Sequence, residues 1–443
     1  MLCSLIRNKL VALWIGTAGV GVISLYNATL DMIKCMTLFN LRQGSVPKIA
    51  GETDPERQAM FCRHVELTSL IVGAIASVLV LVLSPFLSFF TFDSFDYTWG
   101  FALLAPTMLI TSLGDARCGV LQGLGKLRAL ARVSLYSVAL STALAIPLFY
   151  FFRMAAIVPV LILFPLLVTV FAFLMPEGRL KYPPHDRELF RATMKSLLRL
   201  GSFLALGLAF GFIADYLLRV YLSYEGGVDT VGIFQAGYMI IKSYVGVFFT
   251  AITMEFFPRL SATINSRRFT SVIVSYEIGM SLWILMPLVV LFVAFGDLVV
   301  WLLYSSDFMD AVPYVTIAII ATVLRAVSWC FSYVILAKGD GKIYLLTEGI
   351  SAVSLLAFSY FGWRMGGYEG LGWAYVGQFV AFTIATWAIF RWRYKLRLSS
   401  KVGVLLAFAL AISLGASVLK IWFGWWSPLM LLVPIGVVRL LRR

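Results

Sequence analysis

The sequence predicts an all-α polytopic membrane protein of about fourteen transmembrane helices, arranged as two pseudo-symmetric six-helix lobes followed by a C-terminal hairpin. Three observations carry this prediction. The 443 residues are 61% hydrophobic and only 13% charged, with a mean hydropathy of +0.92, and apolar runs of about 20 residues recur from end to end. The basic residues between those runs fall on one side. The second half of the chain repeats features of the first at a nearly constant offset.

Helix cores are expected at 2–15, 22–40, 65–90, 98–121, 130–151, 154–175, 200–223, 231–256, 271–295, 311–336, 343–363, 371–390, 403–419 and 426–438. Span 1 is short, because Leu2 to Ile15 covers about 21 Å at 1.5 Å per residue, below the roughly 30 Å of hydrocarbon. Its charges interrupt the apolar run and no small-residue cleavage site follows, so it reads as a span rather than a signal peptide. The clearest apolar runs, Leu70 to Phe90, Leu135 to Phe152, Ala155 to Leu174 and Met280 to Phe295, define spans 3, 5, 6 and 9. No water-soluble domain fits between any two spans.

The formal net charge of +14 is a topology signal before it is a binding signal. With a cytoplasmic N-terminus, only Arg153, Arg364 and Lys420 face outward, and Lys34, Arg117, Arg219, Lys242 and Arg325 lie within spans. All other Lys and Arg residues are inside, so both termini are expected in the cytoplasm. The outer loops instead carry Asp93, Asp96, Glu225, Asp229, Asp297, Asp307, Asp310 and Glu369. This sorting argues against nucleic acid as a partner. Cys3, Cys35, Cys62, Cys118 and Cys330 form no CxxC pair and none lies in an outer loop, so no disulfide framework is expected. His64 and His185 have no ligand-spaced neighbours, so neither metal nor cofactor is expected. Trp14, Trp99, Trp363, Trp422, Trp425 and Trp426 lie near span ends and read as an aromatic belt.

Sliding the chain against itself by 211 residues lays 20–50 over 231–261. Val20-Gly21-Val22 meets Val231-Gly232-Ile233, and Pro47-Lys48-Ile49 meets Pro258-Arg259-Leu260. At an offset of 216, GLGK (Gly123 to Lys126) meets GDGK (Gly339 to Lys342). The matches are turn glycines, a proline and a basic residue in order, which shared apolarity alone does not produce. Spans 1 to 6 therefore repeat as 7 to 12, giving an N-lobe at 1–175, a basic cytoplasmic linker at 176–199, a C-lobe at 200–393 and an extra hairpin at 394–443. The linker reads either as an interfacial helix from Asp186 onward or as a solvated connector.

LYNATLDMIKCM, residues 25 to 36, places Asp31 and Lys34 inside span 2, although each charge at a helix centre costs roughly 2.5 to 3.5 kcal/mol on insertion scales. They are i, i+3 neighbours on one helix face. Asp115 and Arg117 lie in span 4, Asp215 and Arg219 in span 7, Lys242 in span 8 and Arg325 in span 10. Charged groups in a bilayer almost always face a bundle interior or an aqueous cavity, so a water-filled cleft between two lobes is expected. Each group also has a blander reading. Asp215 and Arg219 can satisfy one another within a helix, and Arg117 can snorkel to the inner surface. Lys242 and Arg325 have no acid within one turn and favour an external anion. Glu277 and Glu348 read either as proton- or cation-carrying groups or as interfacial carboxylates.

The runs WIGTAGVGVISLYN, GSVPKIA, VGIFQAGYMI…FFPRLS and LAKGDGK resemble the polysaccharide-transporter branch of the multidrug/oligosaccharidyl-lipid/polysaccharide (MOP) exporter superfamily, specifically its Wzx-type flippases for O-antigen and related lipid intermediates, over about residues 8 to 397. The resemblance implies a MATE-like, two-lobed bundle in a bacterial inner membrane. It implies movement of undecaprenyl-diphosphate-linked oligosaccharide from the cytoplasmic to the periplasmic leaflet by alternating access, driven by H+ or Na+. It implies no enzyme activity, with membrane lipid and other polysaccharide-assembly proteins as further candidate partners. A cationic cavity suits the diphosphate, and Lys34, Arg117, Arg219, Lys242 and Arg325 are the positions that provide it. Asp31, Asp115, Asp215, Glu277 and Glu348 are the carboxylates available for pairing or ion coupling. Members of the family generally carry further residues before this start, which implies a shortened span 1 or an earlier start, and shorter members lack 403–438. Two alternative functions make different demands on the chain. A MATE-like drug/cation antiporter needs cavity carboxylates more than cations. A membrane polysaccharide polymerase or ligase needs a sizeable outer loop, and the longest here is about 296 to 310.

Overall fold

The computed structural model describes residues 2–178 and 187–441. Residues 179–186 of the expected linker, including Arg179, Lys181, His185 and Asp186, lie outside the described residues, as do Met1, Arg442 and Arg443. The described secondary structure is helical, without strands. The chain divides into two compact units, Met1–Gly232 and Ile233–Arg443.

The first unit opens with α1 (Leu2–Thr37), broken at Gly16, whose φ of 66° and ψ of −165° no helix accommodates. This break separates spans 1 and 2. Phe39 and Asn40 then take left-handed backbone angles and turn the chain into α2 (Leu41–Gly51). Where a connection was expected, this short helix turns Leu41, Gly44, Ser45 and Ile49 inward. It lies on α5 (Pro106–Gly123), where a Cβ at Gly123 would meet Ile49 Cγ2 at 2.7 Å, so glycine is what permits the approach. Before α5, α3 (Pro55–Phe92) starts where the Asp54 side chain accepts from the Glu56 N–H and proline occupies its first turn. The short α4 (Thr98–Leu104) is separated from α5 by the single residue Ala105, before Pro106. α6 (Leu127–Phe152) and α7 (Ile157–Leu174) follow. Cys118, Leu121, Ala129, Val133, Ala172 and Met175 form a core among α5, α6 and α7.

The long α8 (Arg187–Met239) is interrupted at Gly227 (φ 78°, ψ 177°). Its first turns contact α3 and α2, with the Phe190 ring edge-on to His64 of α3 at 5.4 Å and Ser196 bonded to Lys48 of α2. The described part of the linker is thus helical from Arg187. Further along, Tyr216 bonds Thr91 at 2.9 Å and Arg219 bonds Ser24 at 2.9 Å. These bonds hold span 7 in the first compact unit, so compactness divides the chain later than the sequence repeat does.

The second unit contains α9 (Gly246–Thr263), α10 (Arg267–Leu303), α11 (Val312–Ala318), α12 (Ala321–Ala337), α13 (Gly341–Ala388), α14 (Ser400–Phe423) and α15 (Leu432–Leu441). Ser306–Ala318 and Ala321–Ala337 meet at a 54° bend. α13 is broken at Gly366 and Gly367 into spans 11 and 12. Lys420 of α14 bonds Asp297 of α10 at 2.7 Å, which fastens the C-terminal hairpin to span 9. Among the described residues, seven continuous helical segments are long and apolar enough to cross a bilayer. Three of them, Leu127–Leu174, Ala205–Thr250 and Gly341–Arg393, have 48, 46 and 53 residues. At 1.5 Å per residue each is about twice the bilayer's length and holds two spans.

The duplication is written in the backbone. Gly16 and Gly227, 211 residues apart, carry the same helix break. Further on the register changes. Lys126 N–H bonds Leu121 O at 2.8 Å after Gly125 (φ 70°), and Asp340 N–H bonds Ile335 O at 3.3 Å after Gly339 (φ 67°). The equivalent glycines are Gly125 and Gly339, so the offset of 216 read from GLGK and GDGK is corrected to 214. The letters align four residues, whereas the structure aligns the one position that needs a left-handed residue. Arg153 (φ 47°, ψ −120°) and Gly367 (φ 53°, ψ −128°) confirm 214.

The matched glycines of the two repeats also touch. A Cβ on Gly21 would lie 2.9 Å from Val228 C and 3.1 Å from Gly232 N, and one on Gly232 would lie 3.0 Å from Gly21 N. Gly21→Val and Gly232→Val should each cost about 1–3 kcal/mol through overpacking. Both should lower the melting midpoint of the detergent-purified chain, whereas Gly211→Val, at a position with nothing within 4 Å, should leave it unchanged. Equal midpoints for all three would show that this crossing does not hold the first unit together.

Candidate functional site

The ionisable residues of the spans meet four different environments. Asp31 and Lys34 face one another at 3.5 Å, with 47% and 28% of their side chains exposed. Beside them Asp115 lies 4.0 Å from Arg42 and within the field of Lys34. Four alternating charges are thereby gathered near the end of α1. Arg42 comes from α2, whose placement on α5 could not be read from the apolar pattern.

Arg117 is in a second environment. Its side chain is 5% exposed and pairs with Glu66 of α3 at 2.7 Å. The guanidinium lies 5.1 Å from the Phe173 ring centroid, and Gly178 packs on its other side. Glu66 is not among the candidate residues of the sequence, because its pairing with Arg117 depends on two helices far apart in the chain. A buried pair of this kind positions α3 against α5.

Arg219, 6% exposed, is held by hydroxyl and backbone groups. Its Nε donates to Ser24 Oγ at 2.9 Å and its Nη1 donates to the Asp215 carbonyl oxygen at 2.7 Å. The i, i+4 spacing of Asp215 and Arg219 is therefore used, in part, through the main chain.

The second unit holds the fourth environment. Lys242 stands on a π-helical turn, Ile240–Tyr244, a local unwinding often found at functional positions. Its Nζ donates to Tyr238 Oη at 2.6 Å. One turn on, Gly246 lies alongside Arg325 of α12, and a Cβ there would sit 3.9 Å from the guanidinium. Arg325 is stacked over Phe249 at 4.8 Å and over Trp329 at 5.4 Å. Phe249 and Trp329 are parallel within 11° at 4.8 Å, and Trp329 continues onto Tyr333 at 5.9 Å. Arg325 Nη1 and Trp329 Nε1 are buried donors with no hydrogen-bond partner among the described residues. Stacking on aromatic faces contributes about 0.5–2 kcal/mol to holding a cation without neutralising it. Arg325, Trp329 and Tyr333 recur at i, i+4 and i+8, a spacing legible in the sequence, although the two rings are not among the residues it singles out.

Glu277 is 3% exposed, near Cys330 and within the field of Arg259. Glu348 is half-buried on α13, one turn from Tyr344. No group of three or more potential metal ligands occurs among the described residues.

The Glu66–Arg117 pair gives a test of structural against functional roles. Removing one partner of a buried pair costs about 3–5 kcal/mol, whereas replacing both with apolar residues is often near neutral. Glu66→Leu and Arg117→Met should each lower the melting midpoint strongly, and the double variant should recover most of the loss. Additive losses would show that the two side chains do not act as a pair.

A family model described as "Polysaccharide biosynthesis protein" matches residues 9–313. The Lipid III flippase of Escherichia coli (strain K12) is 23% identical over 413 residues, covering 88% of this chain and 95% of that protein, and the Lipid III flippase of Shigella flexneri matches equally. An inward-facing MATE family multidrug resistance transporter of the MOP superfamily superposes with a TM-score of 0.72 at 19% identity, covering 91% of this chain and 95% of that one. The lipid II flippase MurJ in an inward closed conformation gives 0.71 at 13% identity, covering 99% and 94%. These relatives are flippases and transporters rather than enzymes, and the two solved structures show that the chain has a MATE-like transporter fold. With the family match spanning most of the helices described above, the chain belongs to the polysaccharide biosynthesis protein family.

Proposed function

We propose that this chain flips an undecaprenyl-diphosphate-linked oligosaccharide across a bacterial inner membrane, from the cytoplasmic to the periplasmic leaflet, by alternating access. The observation that carries the reading is Arg325. It is a cation in a membrane span with an unpartnered buried donor, and no described acid forms an ion pair with it. A guanidinium offers paired N–H donors to a phosphate, and charge-assisted bonds of that kind are the stronger class. Lys242, near the same stretch of α9, supplies a second, more exposed cation. Trp329 and Tyr333 continue the stack and offer flat faces for sugar rings. The lipid-linked substrates in the names of the relatives support the same substrate class. Termini in the cytoplasm follow from the one-sided basic residues. In this reading Asp31, Asp115, Asp215, Glu277 and Glu348 are the carboxylates through which an H+ or Na+ gradient drives the cycle, with Lys34, Arg117 and Arg219 balancing charge in the first unit.

Reconstitution with the lipid-linked substrate in proteoliposomes, scored by access of an external glycosidase, tests this. Arg325→Ala should slow flipping at least about tenfold, the loss of one charge-assisted contact. Arg325→Lys should recover part of the rate, and Trp329→Ala should cost about two- to tenfold. The double variant Lys242→Ala/Arg325→Ala should abolish flipping. Undiminished flipping by the double variant at equal protein would refute the site. Resistance to cationic dyes conferred by the unaltered chain, without any flipping, would favour the drug antiporter instead.

A further inference from the structure

A cavity of about 570 Å³ opens between the start of α10 and the connector that precedes α14. It is lined by Arg267, Arg268, Lys395 and Arg397, together with Ser271, Ser275 and Ser399. None of the four cations forms an ion pair among the described residues. Their neighbour Arg393 differs, because its guanidinium bonds the Asp340 carboxylate at 2.9 Å. The surplus charge is thus concentrated on the residues that face the cavity.

The connector is held open over this space by its own backbone. Lys395 adopts a left-handed conformation (φ 56°). Arg397 N–H then donates to Ser271 Oγ and Ser399 N–H to Ser275 Oγ, both at 3.2 Å. Each serine accepts from the main chain and keeps its own hydroxyl hydrogen for another acceptor. The first turn of α10 adds the positive end of a 37-residue helix. Phe269, Val272 and Tyr276 follow at i, i+3 and i+7, and all three are at least 60% exposed. Val272 also lines the cavity.

We infer that this cavity binds the phosphate headgroup of an anionic phospholipid, with its acyl chains along Phe269, Val272 and Tyr276. A phosphate diester has several acceptor oxygens, which meet the unpaired cations and the free serine hydrogens together. The exposed apolar column beside the cations favours a lipid over a soluble phosphate ester. Basic pockets of this type between transmembrane helices are known lipid-headgroup sites. A lipid seated there bridges α10 to the connector leading into the C-terminal hairpin. The inference is independent of what the chain transports.

Native mass spectrometry of the full chain in detergent, titrated with phosphatidylglycerol and with phosphatidylcholine, tests it. Phosphatidylglycerol should be retained preferentially. Lys395→Gln, which removes a side chain without a described bond, should lower that retention about fivefold, and Arg268→Gln/Arg397→Gln by more than tenfold. Arg57→Gln, an exposed charge elsewhere, should have no effect. Equal retention of the two lipids by the unaltered chain, or undiminished phosphatidylglycerol retention by Lys395→Gln, overturns the inference. The single variant keeps the test decisive should the double variant fail to fold. Displacement of the lipid by equimolar glycerol phosphate would assign the cavity to soluble phosphate esters and overturn the lipid assignment.

Discussion

An ionised side chain inside a bilayer must meet water, an opposite charge or a set of fixed dipoles, because hydrocarbon offers it nothing. Most of what distinguishes this chain from a plain bundle of apolar helices follows from how it meets that requirement. Glu66 and Arg117 neutralise one another in a buried pair. Arg219 is satisfied by a hydroxyl and a carbonyl oxygen. Asp31 and Lys34 combine partial exposure with mutual attraction. Arg325 is stabilised by aromatic faces that leave its charge intact, and Lys242 lies over the Tyr238 ring in the same way. The first two solutions build helix–helix contacts, whereas the last leaves a field able to act on something else.

The same economy governs the backbone. The breaks at Gly16 and Gly227 fall at residues free to adopt left-handed angles, and they recur at equivalent places in the two repeats. At these two places a span boundary inside one continuous helical run depends on a single glycine. Close helix crossing depends on the same residue for another reason. At Gly21 and Gly232 the absence of a side chain lets main chain meet main chain.

Much of this was legible in the residues. Apolar runs located the spans, and the positions of glycine, proline and basic residues exposed the duplication. Intramembrane Asp, Lys and Arg residues were conspicuous because a bilayer makes them costly. What escaped was whatever depends on a distant partner. Glu66 becomes a partner for Arg117 only through the packing of α3 beside α5. Arg42 looked like a loop charge until α2 proved helical and brought it to Asp115. The register of the later spans was misjudged by two residues because GLGK and GDGK match as letters, whereas their turns match at Gly125 and Gly339. The π-turn under Lys242 has no periodic signature, and the Arg325 ladder is made of residues that also read as core. The compact units meet after Gly232 because Tyr216 and Arg219 bond to α3 and α1, which no repeat analysis reveals.

Recognition of a diphosphate by a span cation without a carboxylate partner is what the proposed function requires. It is tested most directly by the affinity of the purified chain for a short-chain polyprenyl diphosphate, compared with the matching monophosphate and alcohol, at two salt concentrations. The account predicts that the diphosphate binds tightest, the alcohol weakest, and that added salt narrows the gap. Equal affinity for all three, unaffected by salt, would mean that the chain recognises the hydrocarbon alone and would contradict it.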